Sequence, residues 1–188
     1  WGSPPDLPAC PRAMVNTLYL PEIREMLAEH DSAGLAEFCT ALHAARTAEF
    51  MEGLTADEAW QVLQHTDARN RIEIFSYLDE AKQVEILETA PPEETSQLIA
   101  EMPADDRVDL LSQVAPEAVE QVMPLMPVEE RRDIMRLSAY PEGTAGSLMT
   151  TDIAMLPESL TVRAALEEIA RQAGEHETIY YIYTVDDE

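Results

Sequence analysis

Acidic side chains recur in this sequence at two positions of a twelve-residue period, four residues apart. The first position holds Asp57, Arg69, Ala81, Glu93, Asp105, Glu117 and Glu129, and the second holds Gln61, Glu73, Glu85, Gln97, Asp109, Gln121 and Asp133. Because residues i and i+4 share one face of a helix, Asp105 is predicted to lie over Asp109. Glu85 and Glu117 fall on neighbouring steps of the same arrangement, which we call the acidic ladder.

Two kinds of chemistry are open to such a ladder. One is a solvated acidic face that keeps the protein soluble, which is what charge runs usually are. The other is a surface that holds a hard divalent cation through a few carboxylates and many waters, as is typical of Mg²⁺. Spacing alone favours the first. For the second, the spacing offers Asp105 and Asp109 as candidate metal-binding residues.

Composition excludes several classes of protein. The 188 residues carry a formal charge of −25, from 37 acidic and 12 basic side chains, whereas a nucleic-acid binder has a basic footprint. A hydrophobic fraction of 46% argues against general disorder. The two cysteines, Cys10 and Cys39, imply no disulfide framework, so a reducing compartment is expected. No apolar run of residues approaches the length of a membrane span.

Catalytic and zinc chemistry are also not indicated. The four histidines are scattered, with no close pair and no cysteine beside them, so the ligand spacing of a zinc site is not present: His30, His43, His65 and His176. No nucleophile–base pattern is present, and the paired acids lack companions for glycoside chemistry. We therefore expect that the chain is not an enzyme.

The elements that must position the ladder are set by a column of adjacent apolar pairs with the same period. The pairs are Met26-Leu27, Phe38-Cys39, Phe50-Met51, Val62-Leu63, Ile74-Phe75, Ile86-Leu87, Leu98-Ile99, Leu110-Leu111, Val122-Met123 and Ile134-Met135. In one long helix, twelve residues would leave a phase error of about 120° per repeat, and the internal prolines would break the rod. Each repeat is therefore predicted to be a short helix that is stable only when stacked on its neighbours.

The resulting fold prediction is mainly α: a right-handed superhelical solenoid of about ten short helices, followed by a partial α/β motif. Helix starters precede the pairs at Thr55, Asp67, Asp79, Pro91, Pro103 and Pro127. We expect a flexible N-terminal arm at residues 1–17, the acidic helical repeats at 18–139, and a linker with a strand–helix–strand motif at 140–188. In that motif, Thr161 caps the helix, and residues 179–185 form a buried strand. Its uncovered edge predicts either disorder beyond about Thr150 or an exchanged dimer through this segment.

A family resemblance enters at the end of the repeats. The run Ala-Gly-Ser-Leu-Met-Thr at residues 145–150 resembles the junction between the acidic N domain and the CBS domains of MgtE-type magnesium channels. The run Glu-Thr-Ile-Tyr-Tyr-Ile-Tyr at residues 177–183 is similar to the same family. Together with the repeats, the resemblance covers roughly residues 20–188, and it identifies the C-terminal segment as the start of the first CBS domain.

The resemblance implies a function. Such channels are homodimers whose regulatory part lies on the cytoplasmic face of the inner or plasma membrane, where it works with the protein's own CBS and transmembrane domains. Mg²⁺ that bridges acidic N-domain and CBS faces favours the closed pore. The family's bridging carboxylates fall on Glu85 and Glu117, and a third falls on Gln121, whose amide lacks the charge. The alternative is an acidic α-solenoid scaffold of the flagellar motor-switch type with no metal role, which would not need the CBS-like segment.

Overall fold

The repeats form a succession of short helices. The computed structural model describes residues 18–141, 143–149, 153–173, 179 and 181–186, so the predicted arm at 1–17 lies outside the described residues. The helices are α1 Leu20–Ala28, α2 Ser32–Ala41, α3 Ala44–Met51, α4 Ala56–Leu63, α5 Ala68–Ser76, α6 Glu80–Thr89, α7 Pro92–Glu101, α8 Ala104–Gln113, α9 Pro116–Val122 and α10 Val128–Leu137. A short 3-10 helix, Met123–Leu125, extends α9. The prediction of a mainly helical fold built from short repeats is confirmed.

The predicted helix starters occupy the positions just before the helices. Thr55 accepts a hydrogen bond from the Glu58 amide (3.1 Å), and the Glu58 carboxylate accepts one from the Thr55 amide (2.9 Å), which completes a capping box. The Asp67 carboxylate accepts a hydrogen bond from the backbone N–H of Asn70 at 3.1 Å. Prolines precede α7, α8 and α10. At the start of a helix the backbone N–H has no hydrogen-bond partner within the helix, so a proline there costs no helical hydrogen bond. The joints between repeats are therefore encoded locally.

The first compact unit ends at Ile86 and has an apolar core. Helix α1 packs against α2 and α4, and α3 packs against α5. The pairs Phe50-Met51, Val62-Leu63 and Ile74-Phe75 are buried, as the period predicts. Cys39 is also fully buried, and burial raises the pKa of its thiol to about 11. The thiol is therefore protonated at neutral pH and is not a reactive group.

The second compact unit begins at Leu87 and continues the same packing through α10. Helix α7 packs against α9, and α8 packs against α10. The pairs Leu98-Ile99 and Leu110-Leu111 are buried, but Met135 is 70% exposed. The expectation of a buried Met135 is therefore wrong. Met135 belongs to the last pair of the period, so no further repeat follows to cover it.

The C-terminal motif is a strand, a helix and a strand. Strand β1, Ala154–Pro157, pairs in parallel with β2, Ile182–Val185, with Ala154 opposite Ile182, and helix α11, Val162–Gln172, packs against β1. The expectation of a buried second strand is wrong, because all four residues of β2 are exposed. Only one neighbouring strand is present among the described residues, and α11 lies against β1. No residue of α11 is buried, and Leu166 is 63% exposed.

One column of the repeat ties consecutive helices together, and the sequence prediction missed it. The Arg71 guanidinium donates to the carbonyls of Leu63 (2.9 Å) and Thr66 (3.1 Å), eight and five residues earlier. Twelve residues on, the Gln83 amide donates to Phe75 and Leu78 at the same separations. These side chains add donors to carbonyls at the C-terminal end of the preceding helix, where the helix itself supplies few. We call these positions the cap column.

Candidate functional site

The geometry of the acidic ladder agrees with the predicted spacing where both columns carry polar partners. The Gln61 amide donates to the Asp57 carboxylate at 2.7 Å, and the Arg69 guanidinium lies 3.9 Å from the Glu73 carboxylate. Both pairs are four residues apart and join the two columns of the ladder. The two columns therefore share one helix face, as predicted.

The structure places the four candidate metal-binding residues on three helices in two compact units. Asp105 and Asp109 lie one turn apart on α8, with Asp109 exposed and Asp105 half-buried. Glu117 is exposed in the first turn of α9, in the same unit. Glu85 is exposed on α6 and belongs to the first unit. The structure thus brings Asp105 and Asp109 to one helix face, while Glu85 and Glu117 lie on other helices.

Asp105 has one carboxylate oxygen in an unusual environment. Its Oδ1 atom is buried and has no hydrogen-bond partner among the described residues. Burying a polar oxygen without a partner costs free energy that a donor or a cation would recover. The neighbouring Asp109 side chain is exposed. The Asp105–Asp109 pair therefore combines a poorly solvated oxygen with an accessible carboxylate on the same face.

The pair fits Mg²⁺ in donor type but does not form a complete site. Mg²⁺ is commonly held by one or two carboxylates while it keeps several waters. Within the described residues, no group of three or more histidine, cysteine, aspartate or glutamate side chains is placed to hold a metal ion. The assignment of Glu85, Glu117, Asp105 and Asp109 to metal binding therefore stays a prediction.

Arg107 lies between the two aspartates in the sequence and anchors the turn that carries them. Its buried guanidinium donates to the carbonyls of Ile99 (2.9 Å), Ala100 (2.9 Å) and Met102 (2.8 Å) at the end of α7. Arg107 thus belongs to the cap column. Burial lowers its pKa, and the nearby carboxylates of Glu130 and Asp133 act in the opposite direction.

The signal for Arg107 was present in the sequence. It occupies the same register as Arg71 and Gln83, with Thr95 at the intervening repeat. A buried guanidinium that spans three carbonyls fixes the start of α8 against the end of α7. It therefore positions Asp105 and Asp109 without being part of the acidic face.

A second polar contact orders the start of α4. The Arg24 guanidinium donates to the Glu58 carboxylate at 2.8 Å and 3.1 Å, and the same carboxylate completes the capping box. The hydrogen bond from Arg24 is the largest cause that lowers the pKa of Glu58. Glu58 is thus ionised over the physiological range and serves the fold.

The C-terminal motif contains a cleft of about 510 Å³ between β1 and α11. Its charged lining consists of Glu167, Glu168 and Arg171. Arg171 is paired with Glu168, and its hydrogen bond to that carboxylate is the largest cause that lowers the pKa of Glu168 to about 2. At neutral pH the lining is therefore net negative, which disfavours a phosphate group in this cleft.

Among the described residues, no helix combines the length and the hydropathy needed to cross a membrane.

Comparisons with known proteins agree with the helical fold. The magnesium transporters MgtE of Enterococcus faecalis and Thermus thermophilus are 43% identical over 56 residues and 42% identical over 55 residues. These matches cover 30% and 29% of this chain and 12% of each relative, so the chain matches only a small part of the curated relatives' length.

Two solved structures are similar over most of the chain. The soluble part of a magnesium transporter has a TM-score of 0.77 and 28% identity, with 89% of this chain and 66% of that chain covered. The cytosolic domain of the Mg²⁺ channel MgtE in complex with ATP has a TM-score of 0.75 and 30% identity, with 88% and 68% covered. The family profile of the MgtE intracellular N domain matches residues 42–143, more than half of the sequence. With its short capped helices and its ladder of carboxylates, this chain belongs to the MgtE intracellular N domain family.

Proposed function

We propose that this chain is the magnesium-sensing part of an MgtE-type magnesium channel, on the cytoplasmic face of the inner or plasma membrane. The observation that carries the proposal is the Asp105–Asp109 pair on α8, with its buried and unpartnered Asp105 Oδ1. Family membership supplies the context, because the similar proteins are magnesium transporters. Mg²⁺ is the ligand, and the protein's own CBS and transmembrane domains are the partners, in a homodimer.

The physical mechanism follows from the charge. A chain with a formal charge of −25 repels any other acidic face over about a Debye length, near 8 Å at physiological salt. A divalent ion between two such faces turns the repulsion into attraction. Carboxylates that are too few to enclose an ion alone can bind it when a second surface adds ligands. Magnesium then stabilises the arrangement in which the faces meet, which is the closed pore.

Each ion can shift the equilibrium between the open and closed arrangements only by the difference in its affinity for the two. Weak sites that act together therefore give a steeper response than any one of them. In this proposal Asp105, Asp109, Glu117 and Glu85 contribute such sites from three helices. Gln121, exposed on α9 in the ladder register, contributes no charge.

A scaffold without a metal role is the competing function. An acidic helical repeat can bind a protein partner through its face alone. The family match and the strand–helix–strand motif after α10 favour the sensing function, because a scaffold has no use for that motif. Both functions agree with the expectation that the chain is not an enzyme.

Thermal unfolding of the 188-residue chain tests the proposal. We expect millimolar MgCl₂ to raise the melting temperature more than NaCl at equal ionic strength, because a ligand that binds the folded state stabilises it by mass action. Calcium chloride at the same concentration shows whether the response depends on the divalent charge alone. Equal shifts with MgCl₂ and NaCl would contradict magnesium sensing by this chain and leave the scaffold as the better account.

A further inference from the structure

A groove separate from the Asp105–Asp109 pair lies between α7 and the start of α10. It has a volume of about 310 Å³, which is at the lower end of small-ligand pockets, typically ~300–1,000 Å³. The groove suits one side chain or one small group. The groove is lined by Ala100 and Glu101 on α7, by Leu125 and Pro127, and by Glu130 on α10.

Glu130 gives the groove a specific requirement. Its Oε2 atom is buried and has no hydrogen-bond partner among the described residues. The buried Arg107 guanidinium balances part of the local charge, but its hydrogen bonds go to the carbonyls of α7. The Glu130 oxygen therefore lacks a donor, and a ligand that brings one would recover the cost of desolvation.

The charge around the groove is negative. Glu101 lies on the groove as the last residue of α7, the helix end that favours cations. Near it, the carboxylates of Glu130 and Asp133 act on the Arg107 guanidinium. Within the part of the chain that the structure describes, the groove itself is lined by the carboxylates of Glu101 and Glu130 and by no basic side chain, which complements a cation.

The walls favour an organic cation over a metal ion. Ala100, Leu125 and Pro127 line the groove, and Leu125 is 47% exposed. Such a wall covers the aliphatic stem of an arginine or lysine side chain while its charged end meets the carboxylates. Guanidinium carries several donors in a planar fork and can satisfy Glu130 and Glu101 together.

We propose that the groove between α7 and α10 receives an arginine side chain from a basic segment of a partner protein. The guanidinium donates to the carboxylates of Glu130 and Glu101, and its stem lies against Leu125 and Pro127. The groove is thus an interaction site for a basic peptide. It does not depend on magnesium sensing by the acidic ladder.

Amide chemical shifts of the 188-residue chain test this, with a blocked tripeptide that has one arginine between two alanines. We expect saturable shifts confined to the end of α7 and the start of α10. The same tripeptide with citrulline, which keeps the shape without the charge, should bind about ten-fold more weakly, as expected for the loss of a charged hydrogen bond.

Matched variants separate the groove from general charge. Glu130→Gln should weaken arginine binding by about ten-fold, while Glu129→Gln removes the same charge from the exposed neighbour and should leave binding nearly unchanged. If Glu130→Gln does not fold, Ala100→Leu fills the groove with both carboxylates in place and should abolish the shifts.

The proposal would be overturned by the absence of saturable shifts, by equal weakening in Glu129→Gln and Glu130→Gln, or by equal binding of the citrulline peptide. Displacement of the peptide by MgCl₂ but not by NaCl of equal ionic strength would also overturn it, because the groove would then be a metal site.

Discussion

The helices α7 to α10 and the β1–α11–β2 motif lie in the same compact unit but use their apolar residues differently. In the helices, Leu98, Ile99 and Leu110 are buried, and neighbouring repeats cover them. In the motif, α11 is amphipathic but has no buried residue, and β2 is exposed along its length. Identical types of side chain therefore stabilise the repeats strongly and the motif weakly. Apolar patterning determines which face of an element is apolar, but that face stabilises the fold only when a neighbouring element buries it.

The largest expected effect comes from removing one apolar side chain in each region. Ile99→Ala should lower the free energy of unfolding by about 2–5 kcal/mol, because it leaves a cavity in a fully buried position. Leu166→Ala, at 63% exposure, should change it by about 0.5 kcal/mol or less. Urea denaturation followed by circular dichroism measures both. Equal losses would mean that α11 is as well covered as α7, contrary to the comparison.

The second-largest effect on the free energy of unfolding is expected from replacing one arginine in each region, Arg107 in the helices and Arg171 in the C-terminal motif. Arg107→Met should cost about 3 kcal/mol, because three carbonyls at the end of α7 lose a charged donor. Arg171→Met removes an exposed ion pair with Glu168 and should be hard to distinguish from the parent in the same denaturation experiment. A small loss for Arg107→Met would show that the cap column does not hold the repeats together.

A smaller effect is expected at the helix caps. Thr55→Ala should cost about 1 kcal/mol, because it removes the hydrogen bond to the Glu58 amide at 3.1 Å and breaks the capping box. Thr161 caps α11 through a longer bond of 3.3 Å to the Ala164 amide and has no capping box among the described contacts. Thr161→Ala should therefore cost less. A larger loss at Thr161 would reverse the order of the two regions.

The smallest effect is a pH dependence at the same cap. The lowered pKa of Glu58 means that its ionised form is favoured in the folded state. Its contribution is present above the unfolded pKa and is lost as the pH falls below its usual 4.5 towards the lowered value. The stability difference between the parent and Glu58→Gln should therefore shrink over that range. Arg24→Met, which removes the largest cause of the shift, should flatten the dependence; an unchanged curve would contradict this assignment.

Much of the repeat region could be predicted because its signals are local. Thr55, Asp67 and the prolines before α7, α8 and α10 mark helix starts by their own chemistry, and the apolar pairs identify the core by their period. The ladder followed from the same period, since positions four residues apart meet on any helix. Local patterns of this kind need no knowledge of which elements become neighbours.

The parts that could not be predicted depend on neighbours. The exposure of Met135 and of β2 depends on what covers them, which apolar patterning does not record. The buried oxygens of Asp105 and Glu130 arise from tertiary packing, and their sequence context resembles that of exposed acids. The cap column lies between these cases, because its register is visible in the sequence but its targets are carbonyls of another helix.

The central claim is that magnesium acts on particular carboxylates, and one comparison of variants tests it most directly. Asp105→Asn with Asp109→Asn removes two charges, four residues apart, from the ladder on α8. Glu22→Gln with Glu29→Gln removes two exposed charges from α1 and its C-terminal end, at positions that fall in neither column of the ladder period. We predict that the rise in melting temperature caused by MgCl₂, relative to NaCl at equal ionic strength, is reduced in the first variant and retained in the second. An equal reduction in both variants would show that the stabilisation by MgCl₂ depends only on the net charge of the protein, and would contradict the account.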